Sequence, residues 1–149
     1  MLKTGTVAPD FEFKTVDGSK FKLSDLRGNI VLINFWRVGC PPCREEIPHL
    51  QQLYNQYKDE GLVILGFNSS DDLDITLELL KEHSVTYPNI VNASEDAREV
   101  QAKKYNTLKG MVMVPLDYLI DREGKIVDAW YGFNDGESIR RALMKVGLK

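Results

Sequence analysis

Cys40-Pro41-Pro42-Cys43 sets two thiols three residues apart, and they are the two cysteines of the chain. At this spacing they can close into a small disulfide ring and reopen, whereas a structural staple gains most by joining segments distant in sequence. The thiolate is the attacking species, and a helix N-terminus favours it through its dipole and unpaired N–H groups. Proline suits the first helical turn, because its φ is already helical and its missing N–H would have no partner there. Cys40 therefore reads as a nucleophile in front of a helix that begins at Pro41. Pro41 and Pro42 also remove two donors from the turn, which leaves Cys40 dependent on the N–H of Cys43, the residues beyond it and the dipole. Half of a zinc site and a pair of inert buried thiols are the competing readings. A thiolate zinc site usually takes four Cys or His ligands in tight spacing, yet a second CxxC is missing and His49 and His83 stand apart.

The elements around the pair must hold it in place. The apolar run Ile30 to Trp36 predicts a strand, Pro41 to about Glu60 a helix with Gly61 near its C-cap, and Leu62 to Phe67 a second strand. That is a βαβ unit with parallel strands. Pro48 lies inside the helix and should kink it by deleting a backbone hydrogen bond. Upstream, Phe11-Glu12-Phe13 and Phe21-Lys22-Leu23 flank Asp17-Gly18 as a hairpin, and Ser24 to Gly28 predicts one helical turn. Downstream, helices are expected over Leu73 to His83 and over Glu95 to Tyr105, the latter with Ser94 as N-cap. Strands follow at Leu116 to Ile120 and Lys125 to Tyr131, then a helix from about Gly136 to Val146. Tyr118, Trp130 and Tyr131 fit core positions and carry no expected chemistry.

The chain has 149 residues, which is about one domain's worth, and neither repeat nor linker interrupts it. One domain over 1–149 is the expectation. Charged residues make up 28% and the formal balance is 19 − 22 = −3, so bulk charge provides no surface for nucleic acid or anionic lipid. No apolar run approaches the ~20 residues of a membrane span, and Met1-Leu2-Lys3-Thr4-Gly5 lacks the regions of a signal peptide. The expectation is a soluble chain, either cytoplasmic by nature or trimmed of a leader or anchor. A redox-active CxxC is compatible with both compartments.

The strand, Trp-x-x-x-Cys-x-x-Cys, the proline-bearing helix and the late Val114-Pro115 before an apolar strand together resemble a thioredoxin-fold protein over nearly the whole chain. Ala8-Pro9-Asp10-Phe11, the Asp-Gly hairpin, Leu23-Ser24-Asp25-Leu26-Arg27-Gly28, Asn34-Phe35-Trp36 and Cys40-Pro41-Pro42-Cys43-Arg44-x-Glu46-x-Pro48 are similar to the TlpA/ResA-like thiol-disulfide oxidoreductases, relatives of the AhpC/TSA proteins. The resemblance implies an α/β fold: a thioredoxin-like three-layer α/β/α sandwich with an N-terminal β-hairpin and a helical insertion after the second central strand, here Asp71 to Ser84. It further implies a bacterial, extracytoplasmic protein, periplasmic or membrane-anchored with its leader absent from this chain. Such proteins exchange disulfides with client proteins, in cytochrome c maturation or general thiol homeostasis.

By the same resemblance Cys40 is the exposed attacking cysteine and Cys43 the buried resolving one, and Pro115 is the cis-proline facing the disulfide. That geometry leaves the backbone of Val114 free to pair with a bound peptide. Trp36 matches the tryptophan before the active-site turn, where it would shield the disulfide and offer a flat contact to clients; a plain core aromatic is the alternative. Pro41 and Pro42 support the site, and Pro48 is structural. The buried acid of thioredoxins is replaced by Asn34, which cannot take up a proton. Asp71 or Asp72 is the candidate acid near the disulfide, with a helix N-cap or solvated acid as the competing reading. Leu116-Asp117 replaces a typical threonine pair, and Arg37-Val38-Gly39 replaces small-x-Trp. Together these departures predict an altered client surface, Asp117 adding negative charge and Arg37 positive.

The expected enzyme is a thiol:disulfide oxidoreductase that works as a reductant, without cofactor or metal beyond the Cys40–Cys43 disulfide. Its expected partners are client thiols or disulfides and an upstream thiol reductant or oxidant, with the protein itself a monomer. A thiol peroxidase is one alternative, although Arg37 and Ile33 occupy the positions where peroxiredoxins carry Thr/Ser and Pro. A copper(I) chaperone using the same thiols is another; a third soft ligand is not evident, and Met111 and Met113, the additions of interest, are more simply explained as an apolar lead-in to a strand.

Overall fold

The computed structural model describes residues 2–68, 72–91, 104–105 and 113–149. Strands β1 (Glu12–Lys14) and β2 (Lys20–Lys22) pair antiparallel. Between them the Asp17 carboxylate accepts the Ser19 N–H at 3.0 Å, and Gly18 takes φ +90°. A 3-10 turn over Leu23–Leu26 follows. Next come β3 (Ile30–Trp36), α1 (Pro41–Tyr57) and β4 (Leu62–Asn68), with a 3-10 turn at Lys58–Glu60 and Gly61 at φ 96° between α1 and β4. The predicted βαβ unit is present: β3 and β4 run parallel, Ile30 opposite Leu62 and Trp36 opposite Asn68.

The remaining elements are α2 (Leu73–Glu82), β5 (Asn89–Val91), β6 (Leu116–Ile120), β7 (Ile126–Tyr131) and α3 (Gly136–Lys145). The main sheet has the order β5-β4-β3-β6-β7, with β6 and β7 antiparallel to their neighbours. β5 was not expected: three residues after a proline are too few to leave a period-two pattern, and it forms because Gly66, Phe67 and Asn68 offer a parallel register to Asn89, Ile90 and Val91. The expected helix over Glu95 to Tyr105, with Ser94 as its cap, lies outside the described residues except at its end. There Tyr105 is buried, its hydroxyl donating to the Pro9 carbonyl at 2.6 Å while its own carbonyl accepts from Tyr118 at 2.6 Å.

The pleat of β3 sorts its side chains to two faces. Val31, Ile33 and Phe35 join Ala8, Phe11, Phe13, Phe67, Tyr105 and Tyr118 on one side, whereas Ile30 and Leu32 pack with Leu50, Leu53 and Tyr57 of α1 and Ile139 and Leu143 of α3 on the other. The N-terminal segment crosses the first face from edge to edge. Val7 bridges Lys125 beside β7, and the Val16 N–H donates to the Asn89 carbonyl of β5 at 3.0 Å.

Gly66 shows how closely β4 and β5 approach. A Cβ there would overlap Oδ1 of Asn89 and sit 2.8 Å from its Cγ, while Asn89 is held by its own Nδ2 bond to the Tyr87 carbonyl at 3.1 Å. Gly66→Ala is expected to cost about 1–3 kcal/mol, as overpacking typically does. Urea denaturation of the two proteins measures it, and an unchanged midpoint would mean that β5 yields freely.

Candidate active site

The C-terminal end of β3 delivers the chain to Cys40, which is the N-cap of α1, with Pro41 and Pro42 exposed at its first two positions. The Cys43 N–H donates to Cys40 Sγ at 3.3 Å, the donor that the two prolines leave available. The two sulfurs are joined as a disulfide, and their surroundings differ. Cys40 is half-buried, whereas Cys43 is 1% exposed in a cluster with Trp36, Ile47, Leu79 and Leu80. An external sulfur can reach Cys40 and not Cys43.

The Val114–Pro115 bond is cis, as the resemblance implied, and the Val114 carbonyl oxygen lies 3.8 Å from Cys40 Sγ. Val114 is half-buried and Met113 before it is 43% exposed, so an open backbone segment borders the reactive sulfur. Trp36 requires a correction. At 1% exposure it packs with Cys43 against the inner side of the disulfide; it shields the bond but presents no face to a client, because the pleat turns it towards α1 rather than outwards.

Asp71 lies outside the described residues. Asp72 is the N-cap of α2, accepting the Ile75 N–H at 2.9 Å, which fits the capping reading. Asp117 requires a second correction. It is not a surface charge but 0% exposed, because in β6 it alternates with Leu116 and Tyr118 and so faces α1 together with Asn34, its partner across the β3–β6 ladder. The Asn34 Nδ2 donates to Asp117 Oδ1 at 2.8 Å.

Against Asp117 lies Glu46, one turn beyond Cys43 on the buried face of α1 and also 0% exposed. Sequence reasoning gave Glu46 no role, and two signals could have found the pair. Positions three apart share a helical face, which ties Glu46 to Cys43, and an acid inside the apolar strand Leu116 to Ile120 must either face water or have a buried partner. Burial pushes both carboxyls up. The Asp117 charge raises Glu46 further, while the Asn34 hydrogen bond and the nearby Glu46 and Trp130 side chains restrain the rise at Asp117. Two buried acids this close favour one proton between them over two charges.

Among the described residues no three His, Cys, Asp or Glu side chains converge as a metal-holding group, and no helix is long and apolar enough to cross a membrane. Residues 4–129 match the AhpC/TSA family model. Over 146 residues the sequence is 29% identical to the thiol-disulfide oxidoreductase ResA of Bacillus thuringiensis subsp. konkukian, covering 97% of this chain and 79% of that protein. It is 32% identical over 133 residues to the thioredoxin-like protein YneN of Bacillus subtilis, covering 88% and 73%. The fold superposes on the thioredoxin domain of a thiol-disulfide oxidoreductase from Bacteroides vulgatus with a TM-score of 0.82 at 30% identity, covering 97% and 98% of the two chains. The expected thioredoxin-like α/β architecture is borne out.

Proposed function

This chain belongs to the AhpC/TSA family and is a thiol-disulfide oxidoreductase, and from that premise we propose that it reduces disulfides of client proteins in an extracytoplasmic compartment. Cys40 is the attacking thiolate and Cys43 the resolving thiol. The observation that carries this division is the asymmetry of the pair: Cys40 is reachable and receives the Cys43 N–H, whereas Cys43 is sealed behind it. Attack by Cys40 gives a mixed disulfide with the client, and attack by Cys43 on Cys40 releases the client reduced. An upstream thiol reductant then resets the pair.

Val114 supplies backbone for a client strand to pair with, next to the sulfur it presents. Pro115 shapes that edge, Pro41 and Pro42 start the helix that favours the thiolate, and Trp36 keeps water from the inner sulfur. The protein acts as one domain and as a monomer, without a cofactor other than its own disulfide. Its location outside the cytoplasm and a role in cytochrome c maturation or general thiol homeostasis rest on the resemblance of its motifs to the TlpA/ResA-like proteins.

The reduction potential of the Cys40–Cys43 couple tests the reading. The protein is equilibrated in dithiothreitol or glutathione redox buffers and its free thiols are counted. A reductant is expected to lie near about −270 mV, the thioredoxin value, and an oxidant near about −120 mV, the DsbA value. A potential at the oxidising end would reverse the proposed direction, and no reversible two-electron transition would overturn the function.

A further inference from the structure

The C-terminal end of α2, the turn that leads from it to β5 and the N-terminal hairpin border a groove of about 680 Å³. Small-molecule sites span about 300–1,000 Å³ and are mostly apolar, and this one fits both measures. Val16 and Phe21 stand 48% and 40% exposed on the hairpin side, while Leu77, Leu80 and Val85 close the side of α2 and the turn. Apolar side chains left in water around one hollow gain by being covered. The α2 wall is also fixed in advance. Ser84 takes φ +52° to end the helix, its N–H donating to the Lys81 carbonyl at 3.0 Å and the Val85 N–H to the Leu80 carbonyl at 2.9 Å, so little ordering is left for a ligand to impose.

The charges at the groove are not equivalent. Asp17 and Lys81 both line it, but Asp17 is engaged in its own hairpin turn. Its carboxylate accepts from the Thr15 hydroxyl and, at 3.0 Å, from the Ser19 N–H, bonds that hold it below the usual carboxylate range. The Lys81 ammonium has neither ion pair nor hydrogen-bond partner among the described residues, and Glu78 and Glu82 of the same helix do not line the groove. A cation without a partner at the edge of an apolar hollow complements one kind of molecule. We infer that the groove binds an amphipathic organic anion, with its apolar body against Val16, Phe21 and Leu77 and its carboxylate on Lys81 Nζ. The head stays at the rim beside the ammonium, and only the body leaves water.

Leu80 and Val85 give the site a second neighbourhood. Both pack with Trp36, Cys43 and Ile47, so two of the side chains that an occupant would touch belong to the wrapping of the inner sulfur. Neither Cys40 nor Val114 lines the groove, and a client at the reactive sulfur and an anion in the groove therefore engage different residues. The site goes beyond the proposed redox function and does not depend on it, because binding requires no open thiol.

Amide NMR spectra of the isotopically labelled, oxidised protein test the site, with sodium octanoate as the probe, kept below micelle formation, and octanol as its neutral counterpart. Octanoate is expected to give saturable shifts concentrated at the amides of Val16, Phe21, Leu77, Lys81 and Val85. Lys81→Gln, an exposed change that leaves the walls intact, should weaken octanoate about 2- to 5-fold, the worth of an exposed ion pair, and leave octanol unaffected. Phe21→Ala should weaken both about 5-fold through lost apolar contact. Octanoate bound equally well by wild type and Lys81→Gln overturns the assignment of an anion. Shifts that do not saturate, or that centre on another surface, overturn the site itself. Neither result touches the oxidoreductase reading, which is measured on the reduced protein by its reaction with disulfides.

Discussion

Cys43→Ser is expected to accumulate a covalent adduct through Cys40 in nearly stoichiometric amounts when mixed with a protein disulfide such as oxidised insulin, whereas Cys40→Ser accumulates none. The difference follows from burial. The half-buried Cys40 sits at the helix N-cap where its thiolate is favoured, and Cys43 is closed off by Trp36, Ile47, Leu79 and Leu80, so a client sulfur meets only one of the two. Without Cys43 the mixed disulfide has no internal attacker and waits for an external thiol. Turnover of insulin should fall at least about 10³-fold in Cys40→Ser, as it does when an enzyme loses its nucleophile. Non-reducing gels and intact mass spectrometry distinguish the variants. Adducts of equal yield through Cys43 in Cys40→Ser would show that the inner sulfur is open to clients and would sink the assigned order of events.

Glu46→Gln should make the oxidised protein more stable at alkaline pH. Glu46 titrates in the folded chain above its ordinary value, because burial disfavours its charge and Asp117 is already negative. Between the unfolded and folded pKa values the native chain keeps a proton that the unfolded chain has released. Stability from this group is therefore complete below the unfolded pKa and declines as pH rises towards the folded one. Asp117, also raised, adds a decline of the same sign. A neutral glutamine keeps a donor against Asp117 and removes its part of the slope, about 1.4 kcal/mol for each pH unit between the unfolded and folded pKa values. Urea denaturation of both oxidised proteins across the pH range measures this, the disulfide keeping the two thiols out of the titration. Parallel pH profiles would mean that Glu46 is ionised in the folded protein.

Most of the fold was legible because its elements carry their own signals: an apolar run for β3, prolines at the start of α1, Gly61 at its end, Asp-Gly in the hairpin. The cysteine pair was legible for the same reason, since its chemistry depends on spacing within four residues. What escaped depends on contacts between distant segments. β5 exists only because β4 offers it a register, and the faces taken by Trp36 and Asp117 were set by the pleat, which the sequence implies but which composition alone does not reveal. Asn34 was read as the loss of an acid. The structure shows it paired instead with Asp117, 83 positions further along the chain, a relation that no local spacing could announce.

The crossing of the N-terminal segment over the sheet bears on how the molecule behaves in company. An open sheet has two outer strands whose unpaired N–H and C=O groups can recruit another chain and seed edge-to-edge aggregation. Here the stretch around residues 5–7 takes up hydrogen bonds at the start of β7, Gly5 N–H to the Ile126 carbonyl at 2.7 Å and Ile126 N–H to the Thr6 carbonyl at 2.9 Å, and Val16 takes the Asn89 carbonyl on β5. One short segment thus occupies pairing sites on both outer strands, with Ala8, Phe11 and Phe13 fastening it to the face between them. A molecule that must expose a reactive sulfur and an open backbone edge to other proteins leaves that opening at the site of its chemistry, while its flanks are partly closed to uninvited strands.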